Sequence, residues 1–214
     1  MNIQHFDTPL TWAQATADFV GKILCADISR RGHSVLAMCG GSTARKILPV
    51  LAQTDVEWDK LVCTLVDERW VPPIHEDSNE RLIREHLPAQ CRFTGLYTGD
   101  ASPSRGLSMV EERIRPLIPF GCVLLGMGDD GHIASLFPGQ TLQNRILQTA
   151  ERPDHPRISM TLRTLLSASA VVLAVSGTEK CAVLEHAMNL GAAGELPVGR
   201  LLHQDIISVN VFSS

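Results

Sequence analysis

Residues 34–43 have the sequence SVLAMCGGST, in which the apolar run Ser34–Met38 leads into two glycines and two hydroxyl side chains. A short continuous apolar run predicts a buried strand, and the glycines predict a turn into a helix that continues to about Ala52. The same order recurs along the chain. Further strands are predicted at Leu61–Val66, Cys122–Leu125, Ile158–Leu162, Val171–Val175 and Ile206–Phe212, and further helices at about Asn79–His86, Ser104–Leu117 and Glu179–Met188.

Short apolar strands that alternate with amphipathic helices are typical of a mainly parallel sheet covered by helices on both faces. We therefore expect an α/β protein with a three-layer, Rossmann-like fold. We expect residues 1–214 to form a single domain, because no repeat, low-complexity tract or long linker divides the sequence. The first helix is predicted to begin at the capping-box pattern Thr11-Trp-Ala-Gln14 and to end at Gly32.

Composition and charge exclude several classes of protein. A hydrophobic content of 44% with 20% charged residues is typical of a globular chain. The net charge of −4 argues against nucleic-acid binding, and no apolar stretch approaches the ~20 residues of a membrane span. The first residues have no signal-peptide pattern, and the six cysteines are scattered without zinc-type spacing. We therefore expect a cytoplasmic monomer or homodimer with reduced thiols.

The loop Gly40-Gly41-Ser42-Thr43 lies between a predicted strand and a predicted helix. Glycine lets the backbone approach an anion closely, the two hydroxyls are donors, and the first N–H groups of a helix are free. These features are typical of a phosphate cradle, although the same residues also suit a simple turn with a helix cap. The spacing is not that of a Walker A loop. Gly41, Ser42 and Thr43 are therefore candidate phosphate-binding residues.

The segment Gly126-Met-Gly-Asp-Asp-Gly-His132 follows a predicted strand and contains the dinucleotide pattern GxGxxG. We reject that function, because Asp129 and Asp130 would lie beside the pyrophosphate and the acidic residue about 20 positions later is only Glu151, in a proline-containing loop. His132 instead suits a general base, because histidine accepts a proton near neutral pH and the nearby Asp130 carboxylate can orient its ring. We expect the other seven histidines to be structural or solvated.

Further charged groups stand where predicted strands or helices begin or end. Asp67 and Arg69 follow the strand Leu61–Val66, Arg157 precedes a strand, and Lys180 lies in the first turn of a helix. Each also suits ordinary solvent exposure. A lysine at a helix N-terminus opposes the helix dipole, however, and a bound anion explains its placement. Because the loops after the strands of an open α/β sheet form its ligand-binding edge, we expect these groups to converge on one cleft. Arg157 and Lys180 would bind a phosphate there together with Ser42 and Thr43, whereas Asp67 and Arg69 would bind sugar hydroxyls or stabilise developing negative charge.

Taken in order, these motifs are similar to those of the 6-phosphogluconolactonase family. The matching segments cover most of the chain, and the fourteen residues that end at Gly139 are the most specific. The segments are CGGST at 39–43, DERWVP at 67–72 with Ser78-Asn79, GMGDDGHIASLFPG at 126–139, RISMT at 157–161 and SGTEK at 176–180. The resemblance implies the α/β fold that this family shares with glucosamine-6-phosphate deaminase. It also implies hydrolysis of 6-phospho-D-glucono-1,5-lactone in the oxidative pentose phosphate pathway.

One position distinguishes the two activities. The deaminases resemble this chain through Asp-Gly-His-Ile-Ala but continue Phe-Asn-Glu-Pro, where the glutamate helps to open the sugar ring. This chain has Phe137 at the glutamate position, and phenylalanine has no proton to exchange. We therefore expect hydrolysis rather than isomerisation or deamination. The alternative from another class is a phosphosugar-binding module without catalysis, which the presence of both Asp130 and His132 disfavours.

The residues and the resemblance together give a hypothesis for the site. His132 takes a proton from the attacking water, and Asp130 orients its ring, with Asp67 as the alternative partner. Arg69 stabilises the developing oxyanion or the ring oxygen, and Asp67 contacts a substrate hydroxyl. The phosphate is held by Gly41, Ser42, Thr43, Arg157 and Lys180. No metal or organic cofactor is expected for this reaction.

Overall fold

The computed structural model of the protein describes residues 1–141, 143–191 and 194–214. The strands in these ranges are β1 (Asn2–His5), β2 (Ser34–Met38), β3 (Leu61–Leu65), β4 (Asp67–Arg69), β5 (Arg92–Thr94), β6 (Phe120–Leu125), β7 (Leu147–Ala150), β8 (Arg157–Met160), β9 (Ala168–Val175) and β10 (Val209–Ser213). The α-helices are α1 (Pro9–Arg31), α2 (Gly41–Leu51), α3 (Asn79–Arg84), α4 (Pro103–Ile114), α5 (Leu162–Leu165), α6 (Thr178–Leu190) and α7 (Pro197–Leu202). None of these described helices combines the length and the apolar character needed to cross a bilayer.

Seven strands form one parallel sheet in the order β1-β10-β9-β6-β2-β3-β5. Every residue of the central strands β2 and β6 is buried, as expected for a sheet covered on both faces. The predicted α/β fold with a mainly parallel sheet and flanking helices is therefore confirmed. The strand order reverses at the β2–β6 pair, because β3 lies on one side of β2 and β6 on the other. Ligands of open α/β sheets bind beyond the carboxyl ends of the strands at such a reversal.

Helix α1 is attached to this sheet through its first turn. Thr8 caps the helix, since its Oγ1 accepts a hydrogen bond from the Thr11 N–H at 3.2 Å. The capping box predicted at Thr11 is therefore wrong, and the helix begins at Pro9, whose fixed φ suits the first helical position. The buried Trp12 donates from Nε1 to the carbonyl of Phe212 at 2.9 Å, which links α1 to β10.

A second, antiparallel sheet has the strand order β4-β8-β7. The strand predicted at Ile158–Leu162 is present as β8 (Arg157–Met160), and it belongs to this small sheet rather than to the parallel one. All four residues of β8 are buried, so its sequence resembles that of a central parallel strand. Residues 67–69, predicted as a loop, form the strand β4, which places Arg69 opposite Arg157. The short elements β1, β5, β7, α5 and α7 were not predicted, and the closing strand begins at Val209 rather than Ile206.

Candidate active site

The segments that follow β2, β3, β6 and β9 meet in an open cavity of about 260 Å³. Seven of the nine residues proposed from the sequence line it: Gly41, Ser42, Thr43, Asp67, Arg69, His132 and Lys180. The lining also includes Cys39, Gly40, Asn79, Gly126, Met127, Gly128, Asp129 and Ala134. The cavity therefore brings together the glycine–hydroxyl loop, the histidine loop and two cationic side chains.

The glycine–hydroxyl loop leads directly into helix α2. Gly41 has a φ of +68°, in the left-handed region that favours glycine. A Cβ atom on Gly40 would lie 1.9 Å from Oδ1 of Asn79, so Gly40 is required by packing rather than by its dihedral angle. No side chain of the described residues caps this helix, so its first N–H groups are available to a ligand. Ser42 is exposed beside them, and Thr43 is buried.

A tight turn holds His132 at the wall of the cavity. The N–H of Gly128 donates to the carbonyl of His132 at 2.9 Å, and the N–H of Gly131 donates to the carbonyl of Gly128 at 3.0 Å. Gly131 has a φ of +78°. A Cβ atom on Gly128 would lie 2.0 Å from Cε1 of His132, so only glycine leaves room for the imidazole. Two glycines of the GxGxxG pattern, Gly128 and Gly131, therefore position the histidine ring.

Asp130 is the direct partner of His132. Its Oδ1 lies 2.5 Å from Nδ1 of His132 and also accepts the His132 backbone N–H at 3.1 Å. Burial raises the pKa of Asp130, but these hydrogen bonds from His132 outweigh it and hold the pKa below its usual value. An ionised Asp130 keeps the proton of a neutral imidazole on Nδ1 and leaves Nε2 as an acceptor. Asp67, the alternative partner, instead accepts the hydroxyl of the buried Ser135 at 2.6 Å.

Phe137 lies against His132. The two ring centroids are 4.7 Å apart, and the planes are inclined by 42°. The guanidinium of Arg152 lies 4.2 Å from the centroid of the Phe137 ring. An aromatic side chain therefore borders the imidazole at this position, and it neither donates nor accepts a proton.

Glu68, for which the sequence predicts no role of its own, organises the opposite side of the cavity. Its fully buried carboxylate accepts the backbone N–H groups of Arg69, Asn79 and Glu80, each at 2.8 Å, and the hydroxyl of Ser78 at 3.1 Å. Burial raises the pKa of Glu68 to about 7, against the opposing effect of the backbone hydrogen bonds. The carboxylate thus holds the start of α3 against β4. In the sequence, nothing distinguishes Glu68 from its charged neighbours.

Asn79 is a second residue whose role the sequence did not show. The motif Asp77-Ser78-Asn79 predicts a helix cap, and Ser78 does cap α3 by accepting the N–H of Arg81. The Asn79 side chain lies in the cavity lining and donates from Nδ2 to the carbonyl of Asp67 at 3.0 Å. It therefore connects the two sides of the loop and presents an amide to the cavity.

Two cationic side chains in the lining are held by backbone carbonyls. Lys180 Nζ donates to the carbonyl of Met127 at 2.9 Å and lies 3.7 Å from Oδ1 of Asp129. Arg69 Nη1 donates to the carbonyl of Asp77 at 2.6 Å. Both side chains retain donors for an anionic ligand, because Lys has three N–H bonds and Arg has five.

Arg157 differs from the other predicted phosphate ligands. Its guanidinium is paired with the carboxylate of Asp154, and it does not belong to the cavity lining. Asp154 lies three residues earlier in the chain. The buried Nη1 of Arg157 has no hydrogen-bond partner among the residues that the structure describes.

Known proteins that are similar to this chain belong to the family that its motifs indicate. A family model described as "Glucosamine-6-phosphate isomerases/6-phosphogluconolactonase" matches residues 7–209. The chain belongs to this family. Among its lactonase members, the 6-phosphogluconolactonase of Rhizobium meliloti (strain 1021) is 34% identical to this chain over 226 residues, which cover 99% of the chain and 97% of the relative. That of Caulobacter vibrioides is 35% identical over 213 residues, with 92% and 90% covered.

Solved structures of the glucosamine-6-phosphate isomerase/6-phosphogluconolactonase family show the same fold. A 6-phosphogluconolactonase from Shewanella baltica OS155 has a TM-score of 0.95 and 30% identity, with 100% of this chain and 97% of that chain covered. A monomeric glucosamine-6-phosphate deaminase has a TM-score of 0.85 but only 18% identity, over 100% and 97% of the two chains. The likeness to the deaminase shows the fold alone, whereas the lactonases are also similar in sequence.

Proposed function

We propose that this chain hydrolyses 6-phospho-D-glucono-1,5-lactone to 6-phosphogluconate in the oxidative pentose phosphate pathway. The observation that carries the proposal is the His132–Asp130 pair in the same cavity as the Gly41–Thr43 loop and Lys180. The His132–Asp130 pair suits proton transfer, and the Gly41–Thr43 loop with Lys180 suits anion binding. Hydrolysis of a phosphorylated lactone requires both. The relatives named 6-phosphogluconolactonase, at 34% and 35% identity, support this substrate.

The phosphate of the substrate is assigned to the Gly41–Thr43 loop and Lys180. The backbone N–H groups at the start of α2 and the hydroxyls of Ser42 and Thr43 supply neutral donors, and the Lys180 ammonium supplies a charge-assisted one. Because the net charge of the chain is −4, the general field of the protein does not attract a phosphate dianion. Affinity must therefore come from these local donors.

Arg157 is the remaining proposed phosphate ligand. In the structure its Nη2 is paired with the Asp154 carboxylate, while its buried Nη1 has no hydrogen-bond partner among the described residues. Nη1 is the donor that we assign to the phosphate, since a buried N–H without an acceptor costs about 1–3 kcal/mol.

The remaining groups of the cavity carry the proposed reaction. His132 takes a proton from water at Nε2 while the water oxygen attacks the lactone carbonyl carbon. The ionised Asp130 orients the imidazole and stabilises the resulting imidazolium. Arg69 stabilises the oxyanion, and Asp67 contacts a ring hydroxyl. Collapse of the tetrahedral intermediate then breaks the bond to the ring oxygen, which takes the proton from His132. General-base catalysis supplies about 10²–10⁴-fold, and charge stabilisation about 10²–10³-fold.

The experiment that tests this function is His132→Ala, assayed on freshly generated lactone with correction for spontaneous opening. We expect enzymatic turnover to fall by about 10²–10⁴-fold, while 6-phosphogluconate binds as before. His33→Ala is the matched control, because His33 is an exposed histidine outside the cavity lining. Wild-type turnover in the His132 variant would contradict the assignment of the base. Turnover of unphosphorylated gluconolactone as fast as that of the phosphorylated substrate would contradict the assignment of the substrate.

We further propose that residues 1–214 form one hydrolase domain. The proposal is supported by the cavity, to which both the loops of the parallel sheet and strand β4 of the antiparallel sheet contribute. The cytoplasm is the proposed compartment, because all six cysteines are free thiols and thiols persist in a reducing environment.

A further inference from the structure

We propose that His75, Asp77 and His155 form a binding site for a divalent transition-metal ion, such as Zn²⁺, Co²⁺ or Ni²⁺. His75 and Asp77 lie between β4 and α3, and His155 lies just before β8. Asp77 and His155 are 78 residues apart in the sequence, and the pairing of β4 with β8 brings them together. Neither histidine lies in a motif that predicts a chemical role.

The three side chains are close enough to share one ion. His155 Nε2 lies 3.0 Å from Asp77 Oδ2, and His75 Nδ1 lies 3.8 Å from the same oxygen. One ligand atom from each residue lies within 4.8 Å of the other two. Ligands about 2.0–2.2 Å from a tetrahedral ion are about 3.3–3.6 Å from one another, so small side-chain rotations suffice. The imidazole planes are inclined by 80°, with centroids 5.4 Å apart, so the rings do not stack on each other.

The ligand types select the class of ion. Two imidazoles and one carboxylate suit Zn²⁺, Co²⁺ and Ni²⁺, whereas Mg²⁺ and Ca²⁺ prefer oxygen ligands alone. Three protein ligands leave further coordination positions for water. The side chains of His75, Asp77 and His155 are 38%, 50% and 25% exposed, so an ion reaches them from solvent.

Two hydrogen bonds within the cluster occupy atoms that would ligate the ion. The Asp77 N–H donates to Nδ1 of His75 at 3.1 Å, and His155 is hydrogen-bonded to the Asp77 carboxylate. Both are replaced when the ion binds. The guanidinium of Arg69 also contacts the carbonyl of Asp77, and its charge opposes a second cation there. We therefore expect weaker binding than at a closed site with four protein ligands.

The site is adjacent to the cavity but is not required by the proposed hydrolysis. Arg69 belongs to the cavity lining and is held by the Asp77 carbonyl, while His75, Asp77 and His155 lie outside that lining. Metal binding by these residues is therefore tested separately from turnover.

The test is a titration of the full-length protein with Co²⁺, followed by isothermal calorimetry and by the visible absorption of the bound ion. We expect a single ion per chain. His75→Gln and His155→Gln should each weaken binding at least about 10-fold, because even the partners of metal ligands contribute 10–100-fold. His33→Gln is the matched control at an exposed histidine, and Cys25→Ser excludes binding to the exposed thiol. No saturable binding, or equal affinity in the wild type and both cluster variants, would overturn the proposal. Since both replaced side chains are partly exposed, we expect the variants to fold, and unchanged circular dichroism checks this.

Discussion

Replacing Gly128 with alanine should remove most of the proposed hydrolysis without unfolding the protein. The new Cβ would lie 2.0 Å from Cε1 and 2.1 Å from Nδ1 of His132. Ordinary contact begins at 3.4 Å, so the ring must retreat by about 1.4 Å, the difference between 3.4 and 2.0 Å. That retreat breaks the 2.5 Å contact of Nδ1 with Asp130. Gly128 is not among the glycines with positive φ, so the expected effect arises from the contact with the ring rather than from a left-handed backbone.

A misplacement of about 1 Å in a reacting group costs about 100-fold in rate, and complete loss of a general base costs about 10²–10⁴-fold. We therefore expect kcat of the Gly128→Ala variant to fall by about 100-fold or more. Inhibition by 6-phosphogluconate should change little, because Ser42, Thr43 and Lys180 keep their positions. A continuous assay on freshly generated lactone measures kcat, and product inhibition measures the binding of 6-phosphogluconate.

Gly199→Ala is the matched control for this variant. Gly199 lies in α7, its φ is not positive, and the nearest atom to a new Cβ there is 3.7 Å away. The control should retain wild-type kcat and a similar Tm. If Gly128→Ala also retains wild-type kcat, hydrolysis does not depend on the position of the His132 ring, and the proposed role of the histidine is refuted.

Three further predictions concern Glu68, Lys180 and Ser135. Because the pKa of Glu68 is raised from 4.5 to about 7, its protonated form stabilises the fold below pH 4.5, and this contribution of about 3 kcal/mol is lost as the pH rises towards 7. Urea unfolding as a function of pH should therefore show the free energy of unfolding falling more steeply with pH in the wild type than in Glu68→Gln, and identical pH dependences would contradict the prediction. Lys180→Ala should weaken inhibition by 6-phosphogluconate about 10-fold and inhibition by gluconate hardly at all, whereas equal losses would exclude a phosphate contact. Ser135→Ala removes the 2.6 Å hydrogen bond to the buried Asp67 and should cost about 1–3 kcal/mol of unfolding free energy, with the exposed Ser104→Ala as control; a neutral result would contradict the role of this bond.

Local sequence patterns were sufficient for the strand–loop–helix units that carry most of the candidate site. The apolar run Ser34–Met38 and the glycines after it form β2 and the start of α2. Likewise, the apolar strand β6 is followed by the glycine-containing loop that carries His132. Buried parallel strands are continuously apolar, and polar side chains directly after them lie at one edge of the sheet, so these groups were predictable without coordinates.

Contacts between distant segments were decided only by the tertiary structure. The apolar sequence of β8 predicts a strand but not its partner, and its pairing with β4 moves it out of the parallel sheet and brings His155 to Asp77. The four donors around Glu68 come largely from the start of α3, and Arg157 is paired with the carboxylate of Asp154 outside the cavity lining. Strand propensity and charge are properties of a local segment, whereas the partner of a buried strand or carboxylate depends on which other segment packs against it.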